Sequence, residues 1–172
     1  MVTFRKATEK DVSDLSKRFL QFLEDKKSKI DQENVARFGV PEEYVREALA
    51  DETLIRAAAS GKAVFHVGLE NNEVVGFAQT VQRDTRNTEL DRIVVFPAHE
   101  RRGIGTRLLQ QVIMDEQKKG TKTIAVNAGK EETHARRFYE KNGFKLIKET
   151  TIDAPWGEKL NIAVYKLQLT AS

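Results

Sequence analysis

The sequence predicts a mixed α+β fold in which strands outnumber helices. Three observations carry this. Apolar runs of strand length, bounded by turn residues, fill the middle and the end of the chain. Stretches of helical spacing lie before, between and after them. No internal repeat, low-complexity tract or linker interrupts the 172 residues, so a single domain over 1–172 is expected. With 40% hydrophobic residues, the chain can bury a sizeable core.

Val2, Phe4 and Ala7 support a short first strand. Thr8-x-x-Asp11 then opens a helix as a capping box, with Asp where Glu or Gln is more usual. Val12, Leu15, Phe19, Phe22 and Leu23 continue it at helical spacing. Residues 24–40 are polar and charged and read as a loop or an irregular helix end. Pro41 suits the first helical position of a helix over 42–50. Strands over 63–69 and 74–82 flank Glu70-Asn71-Asn72-Glu73, a good hairpin turn. A third strand runs over 88–96, and Pro97 ends it. A helix begins near Gly105, shows an apolar stripe of Leu108, Leu109, Val112 and Ile113, and stops at Lys118-Lys119-Gly120. A short buried strand over 123–127 and a helix over 133–142 follow, the latter stopped by Gly143. Two strands over 144–151 and 160–169, joined through Asp153-Ala154-Pro155-Trp156-Gly157, complete the chain.

Composition narrows the function classes. The chain has 29 Lys plus Arg against 26 Asp plus Glu, a mild net charge of +3. That suits an anionic cofactor without demanding nucleic acid, and the basic residues lack the aromatic interleaving of a nucleic-acid binder. There is no Cys, which excludes disulfides and an acyl-cysteine intermediate. The three histidines, at 66, 99 and 134, are scattered, so no metal site is expected and none of them is assigned a role. No signal core follows the N-terminus, and no run of about 18 apolar residues could span a membrane. A cytoplasmic protein is the default expectation.

The segment from Val95 to Leu109 carries the clearest chemistry. A hydrophobic strand ends, a polar loop follows, and Gly103 and Gly105 open an amphipathic helix. Glycines at such a turn let the backbone approach a ligand closely. The first helical N–H groups lack intrahelical partners and carry the positive end of the helix dipole, which suits phosphate oxygens. Arg101, Arg102 and Arg107 add charge. On spacing alone, Gly-x-Gly is equally an ordinary strand-to-helix turn. A dinucleotide fingerprint fails at Leu108, and the Walker pattern fails as well.

The segment Glu100-Arg101-Arg102-Gly103-Ile104-Gly105 resembles the acyl-CoA motif of the GNAT superfamily of N-acetyltransferases, usually written Arg/Gln-x-x-Gly-x-Gly/Ala. The resemblance extends over the preceding strand, Glu89 to Pro97, and into the helix through Leu109. A second block, Ala135-Arg136-Arg137-Phe138-Tyr139-Glu140-Lys141-Asn142-Gly143-Phe144, resembles the family as well, as does Val74-Val75-Gly76-Phe77-Ala78 in the hairpin. There are two departures. Glu100 stands where Arg or Gln is usual, and Glu132 stands where many members carry a cofactor-contacting Asn.

The resemblance implies a central, mostly antiparallel, twisted sheet of six to seven strands, splayed between the fourth and fifth, with about four flanking helices. It implies direct transfer of an acetyl group from acetyl-CoA to a primary amine of a small molecule or peptide, without metal and without an acyl-enzyme. A homodimer is compatible with it, and neither a nucleic acid nor a membrane is expected as a partner. It assigns the pyrophosphate to the loop Arg101, Arg102, Gly103, Ile104, Gly105 and Thr106. The pantetheine arm falls to the main chain of Ile93, Val94 and Val95. Tyr139 matches the general acid, since a phenol of reference pKa about 10 is protonated at neutral pH. Phe138 is assigned to packing. Glu89 matches a position where some members carry a catalytic Glu, and in a regular strand it would share one face with Asp91, Ile93 and Val95. The acceptor pocket is expected between residues 14–44, the hairpin and the 153–158 loop, where Trp156 either walls the pocket or plugs the core. The acids Glu24, Asp25, Asp31 and Glu33, interleaved with lysines, could attract a cationic amine or could form a plain solvated loop. A second reading is a non-catalytic acyl-CoA-binding sensor or regulatory module, which Glu100 and Glu132 favour.

Overall fold

The computed structural model describes residues 1–24, 42–48 and 50–170, so Asp25, Asp31 and Glu33 of the expected acidic cluster lie outside the described residues. Seven strands form one sheet in the order β1-β2-β3-β4-β5-β7-β6. They are β1 (Thr3–Lys6), β2 (Ala63–Glu70), β3 (Glu73–Gln82), β4 (Asn87–Val95), β5 (Thr123–Gly129), β6 (Lys145–Asp153) and β7 (Lys159–Gln168). The helices are α1 (Glu9–Glu24), α2 (Glu42–Ala48), α3 (Asp51–Ala59), α4 (Ile104–Lys118) and α5 (Thr133–Lys141).

Local signals account for most boundaries. The Thr8 hydroxyl accepts from the Asp11 N–H at 3.2 Å while the Asp11 carboxylate accepts from the Thr8 N–H at 2.9 Å, a reciprocal capping box at the start of α1. Asn71 and Asn72 both take positive φ, 52° and 63°, as a type I′ hairpin turn between β2 and β3 requires. Helix α3 carries no strong periodic signal. Its sequence, DETLIRAAA, has acids in the first turn and an alanine run, and only Leu54 is fully buried.

Helices cover both faces of the sheet. Val12, Leu15 and Phe19 of α1 and Leu54 of α3 pack on Phe65, Val67, Phe77 and Val94. On the opposite face, Leu109 and Val112 of α4 and Tyr139 of α5 pack on Leu90, Ile124, Val126 and Tyr165. His66 lies on this second face, 1% exposed beneath α4, with Nε2 2.5 Å from Asp115 Oδ2 and Nδ1 without a partner. Burial is the main reason its pKa is lowered from 6.5, outweighing Asp115. Protonation would place a second N–H where nothing accepts it.

Among the described residues the sheet has six strand junctions, of which one, β4 with β5, is parallel and is bridged by α4 as the crossover. Only three residue pairs join these two strands, Asn87 with Thr123, Thr88 with Ile124 and Glu89 with Ala125. Beyond them the strands part, which is the expected splay. The joined end is fastened by Glu116 of α4, 2% exposed. Its Oε2 accepts from Thr88 Oγ1 at 2.8 Å and from Thr121 Oγ1 at 2.5 Å, and Lys119 Nζ lies 3.4 Å from Oε1.

Two outcomes test this packing. Glu116→Ala leaves two buried hydroxyls unpaired and should cost about 2–4 kcal/mol in urea unfolding, at the full desolvation cost of each group; a loss under about 1 kcal/mol would refute the fastening role. Because the folded pKa of His66 is depressed, its contribution is fully present above 6.5 and is lost as pH falls from 6.5 through the folded value. The urea midpoint of the parent chain should therefore drop between about pH 7.5 and about pH 5 by more than that of His66→Gln.

Candidate functional site

The site forms where the sheet splits. Strand β4 pairs with β3 along its whole length, but one residue is extra: Gln79 faces Arg92 and Thr80 faces Leu90, which leaves Asp91 unpaired in a β-bulge. The bulge reverses the alternation of β4. Thr88 and Leu90 face α4 before it, and Ile93 and Val95 face α4 after it. Glu89 pairs with Val81 and falls on the α1 face, with Arg92 and Val94. The common face expected for Glu89, Ile93 and Val95 in a regular strand is therefore corrected by this extra residue.

The main chain of β4 divides in the same way. Phe96 N–H donates to the Val75 carbonyl at 3.0 Å, so the antiparallel alternation next directs Val94 toward Phe77. Ile93 and Val95 then turn their N–H and C=O toward the gap left by β5. Of the three residues expected to hold a pantetheine arm by main-chain bonds, these two are free to do so, and Val94 is committed to β3.

The glycine loop stands beside the upper end of this gap. A 3₁₀ turn over Pro97–His99 leads into Glu100, which is extended, and Arg101, which takes φ 63°. Gly103 is the N-cap of α4 at φ 74°, and no side chain caps the helix. A left-handed N-cap without a capping oxygen leaves the first N–H groups of α4 turned outward with the positive dipole end. Gly105 lies where three elements converge. A Cβ there would stand 3.6 Å from the Phe138 ring of α5 and 3.7 Å from Val95 of β4. Ile104 is 2% exposed and anchors the loop in the core.

The arginines differ from one another. Arg102 gives both terminal nitrogens to Glu70 of the hairpin, at 3.1 and 2.6 Å, and Nη1 lies 3.3 Å from His99. The Arg102 hydrogen bonds hold the Glu70 carboxyl below its usual range. Its charge is thus balanced within the protein by Glu70. Arg107 lies over the Phe4 ring at 4.4 Å. Arg101 is exposed and forms no ion pair among the described residues.

The two departures at Glu100 and Glu132 have different characters. Glu132 Oε1 accepts from the Gly129 N–H at 2.7 Å and closes the turn from β5 into α5. A structural bond therefore occupies it. Glu100 ends the 3₁₀ turn with its N–H donated to Pro97 at 3.3 Å.

Tyr139 is 3% exposed on the α4 and α5 side of the sheet. Its ring lies 5.6 Å from Phe138, 5.7 Å from Phe144 and 6.2 Å from Tyr165. The Tyr165 hydroxyl accepts from Arg136 at 2.8 Å and donates to Glu140 at 2.7 Å, a network that fixes α5 on β7.

On the opposite face, the split opens into a cavity of about 160 Å³. Glu89, Leu90 and Asp91 of β4 and Asn127 of β5 form one side. Ile152 of β6 and Leu160 and Ile162 of β7 form the other. The sequence reading missed these last four residues. Asn127 and Ile162 alternate with core positions on strands recognised as strands, but which face stays open depends on how many helices cover it. The 153–158 loop expected to wall the pocket is a tight turn in which Trp156 Nε1 lies 3.3 Å from Glu158. Glu89 accepts from Arg83 Nε at 2.7 Å and from Arg83 Nη2 through the same oxygen, Oε2. No group of three potential metal ligands occurs among the described residues, and no helix among them is long and apolar enough to cross a membrane.

A seven-stranded sheet split at its single parallel pair, with an uncapped, glycine-led helix at the split, is the architecture of the GNAT acetyltransferase fold. Solved structures carry the same fold. The paia N-acetyltransferase of Thermoplasma acidophilum, in complex with coenzyme A, superposes with TM-score 0.70 at 20% identity, covering 97% of this chain and 99% of that one. The Salmonella typhimurium protein yncA, with its cofactor acetyl-CoA, gives TM-score 0.74 at 18% identity over 100% and 96%. The model of the acetyltransferase (GNAT) family matches residues 28–144, and the chain belongs to that family.

Curated relatives agree in part. The mycothiol acetyltransferase of Nocardiopsis dassonvillei is 39% identical over 80 residues, 45% of this chain and 24% of that protein. The [ribosomal protein bS18]-alanine N-acetyltransferase of Haemophilus influenzae is 33% identical over 100 residues, 56% of this chain and 66% of that protein. The chain thus spans 24% to 66% of the length of these two relatives.

The two loop glycines should behave differently on substitution. Gly103→Ala forces a Cβ into the left-handed region and should lower stability by about 1–2 kcal/mol in urea. Gly105→Ala makes only ordinary contacts, and the motif accepts Ala at this position, so it should retain both stability and acetyl-CoA binding measured by calorimetry. Equal stability losses in both would contradict the assignment.

Proposed function

We propose that this chain transfers an acetyl group from acetyl-CoA directly to a primary amine of a small molecule or peptide. The observation that carries the reading is the split itself. It connects an outward-turned helix N-terminus and a free main-chain edge on one face with a part-acidic cavity on the other.

The chain's groups fit the cofactor. The N–H groups from Gly103 to Thr106 suit its pyrophosphate, with Arg101 as the nearby cation not engaged by a carboxylate. The open N–H and C=O groups of Ile93 and Val95 suit an extended pantetheine arm, bound as a strand would be. When bound, acetyl-CoA supplies the acetyl group as a thioester carbonyl. The free N–H groups along the gap are the donors available to that carbonyl's oxygen.

The acid and the base fall on opposite faces. Glu89 lines the cavity and takes the proton of the incoming ammonium, directly or through one water. The neutral amine attacks, the new N–C bond replaces the C–S bond, Tyr139 donates its phenolic proton to the departing sulfur, and the second amine proton, lost from the adduct, passes through solvent to restore the phenol. Tyr139 lies on the same side as α4, next to Phe138, whose ring lies 3.6 Å from where a Cβ at position 105 would stand. Its aromatic surroundings keep bulk water from competing for that proton. The bond between Glu132 and Gly129 removes one of the two features that favour a non-catalytic module, because the residue serves the fold.

The test is a panel of amines and peptides with acetyl-CoA, read as free thiol released. Turnover should require an amine. Tyr139→Phe should lower kcat about 100-fold or more, the usual worth of a general acid, while leaving stability and acetyl-CoA binding intact. Acetyl-CoA binding without thiol release across the panel would favour the sensor.

A further inference from the structure

The cavity at the split also restricts what the acceptor is. We propose that it takes an aminoalkyl group: a primary ammonium at the end of an unbranched aliphatic chain, selected by Asp91 and by the walls of β6 and β7. This rests on the transferase reading above and narrows its acceptor.

Size sets the first limit. The cavity measures about 160 Å³. An apolar cavity of roughly 150 Å³ accommodates a molecule of benzene size. The cavity is open to solvent on one side, so this volume holds the reacting end of the acceptor, about six heavy atoms, and leaves the rest of the molecule outside.

Lining sets the second. Ile152, Leu160 and Ile162 give an aliphatic wall, and Ile162 is only 4% exposed. Such a wall suits methylene groups and offers no partner to a polar substituent along the chain. The polar side consists of Glu89, Asp91 and Asn127, with no cation among the described lining residues and with Arg83 holding Glu89 from outside the lining. An acceptor carrying a carboxylate next to its amine would set that charge against Asp91, whereas an amine remote from any carboxylate is attracted there.

The two acids are not equivalent. Oε2 of Glu89 is engaged by Arg83, as described. Asp91 forms no ion pair or hydrogen bond among the described residues. It is the extra residue of the bulge, and insertion of one residue is what turns its side chain out of the ladder at the point where β4 and β5 part. Asp91 thus attracts the ammonium form at the mouth, and Glu89 or water relieves it of a proton further on. Overall, the ammonium and acetyl-CoA become the N-alkylacetamide, free CoA thiol and one released proton.

The experiment compares three acceptors with acetyl-CoA on the parent chain and on Asp91→Asn, by thiol release and mass of the product. One arm is a linear diamine, the second a lysine peptide with a blocked N-terminus, and the third a peptide with a free N-terminal alanine and no lysine. The first two share the aminoalkyl group, and comparing them tells a free metabolite from a protein side chain. At least one should be acetylated with kcat/KM above that of the alanine peptide. Asp91→Asn should raise KM for that arm about fivefold with little change in kcat, the scale of one exposed charge pair. Rising salt should raise KM in the parent chain and not in the variant. Turnover of the alanine peptide alone, or a KM unmoved by Asp91→Asn, overturns the acceptor assignment and leaves the transferase reading standing. Acetyl-CoA binding with turnover of no arm overturns both.

Discussion

Strands β4 and β5 are parallel neighbours over three residue pairs, and the buried carboxylate of Glu116 fastens them there through Thr88 and Thr121. Everything else in the site follows from where that pairing stops. A parallel pair needs a crossover, and the crossover here is α4, so the same helix that closes one end of the split presents its N-terminus at the other. A sheet paired throughout would have no free edge on β4 and no opening from one face to the other. A sheet with no pairing at all there would have nothing to set the width of the gap.

The bulge at Asp91 is the second constraint. One extra residue reverses which side chains of β4 look toward α4. Glu89 is thereby separated from Ile93 and Val95 and assigned to the cavity face, while Ile93 and Val95 keep their side chains in the α4 core and their main chain toward the gap. The division of labour between the two faces comes from this single insertion, not from any unusual residue type. Arg102 shows the same dependence on context. Its guanidinium is bound by Glu70 of a hairpin more than thirty positions earlier in the chain, so a charge that the loop sequence offers to a ligand is partly used within the protein.

Much was legible in the sequence because it is local. The capping box at Thr8 and Asp11, the Asn71-Asn72 turn, the apolar stripe of α4 and the strand periods all depend on neighbours within a few residues. The glycine loop and the block around Tyr139 were legible as a family pattern, and the family is the one the chain belongs to. Helix α3 was not, because alanines and two acids give propensity without a buried stripe.

What the sequence by itself determined is therefore the set of elements apart from α3, the mixed fold class and the glycine-led helix start. Each is written in spacings of two to four residues. Only the tertiary structure decided which face of β4 carries Glu89, that Asp91 leaves the ladder, that Glu70 holds Arg102, and that Ile152, Leu160 and Ile162 wall a cavity with Asn127. Register and bulge position are properties of a strand pair rather than of one strand, and a cavity exists only where several elements fail to fill the space between them. No spacing along a single chain encodes either one.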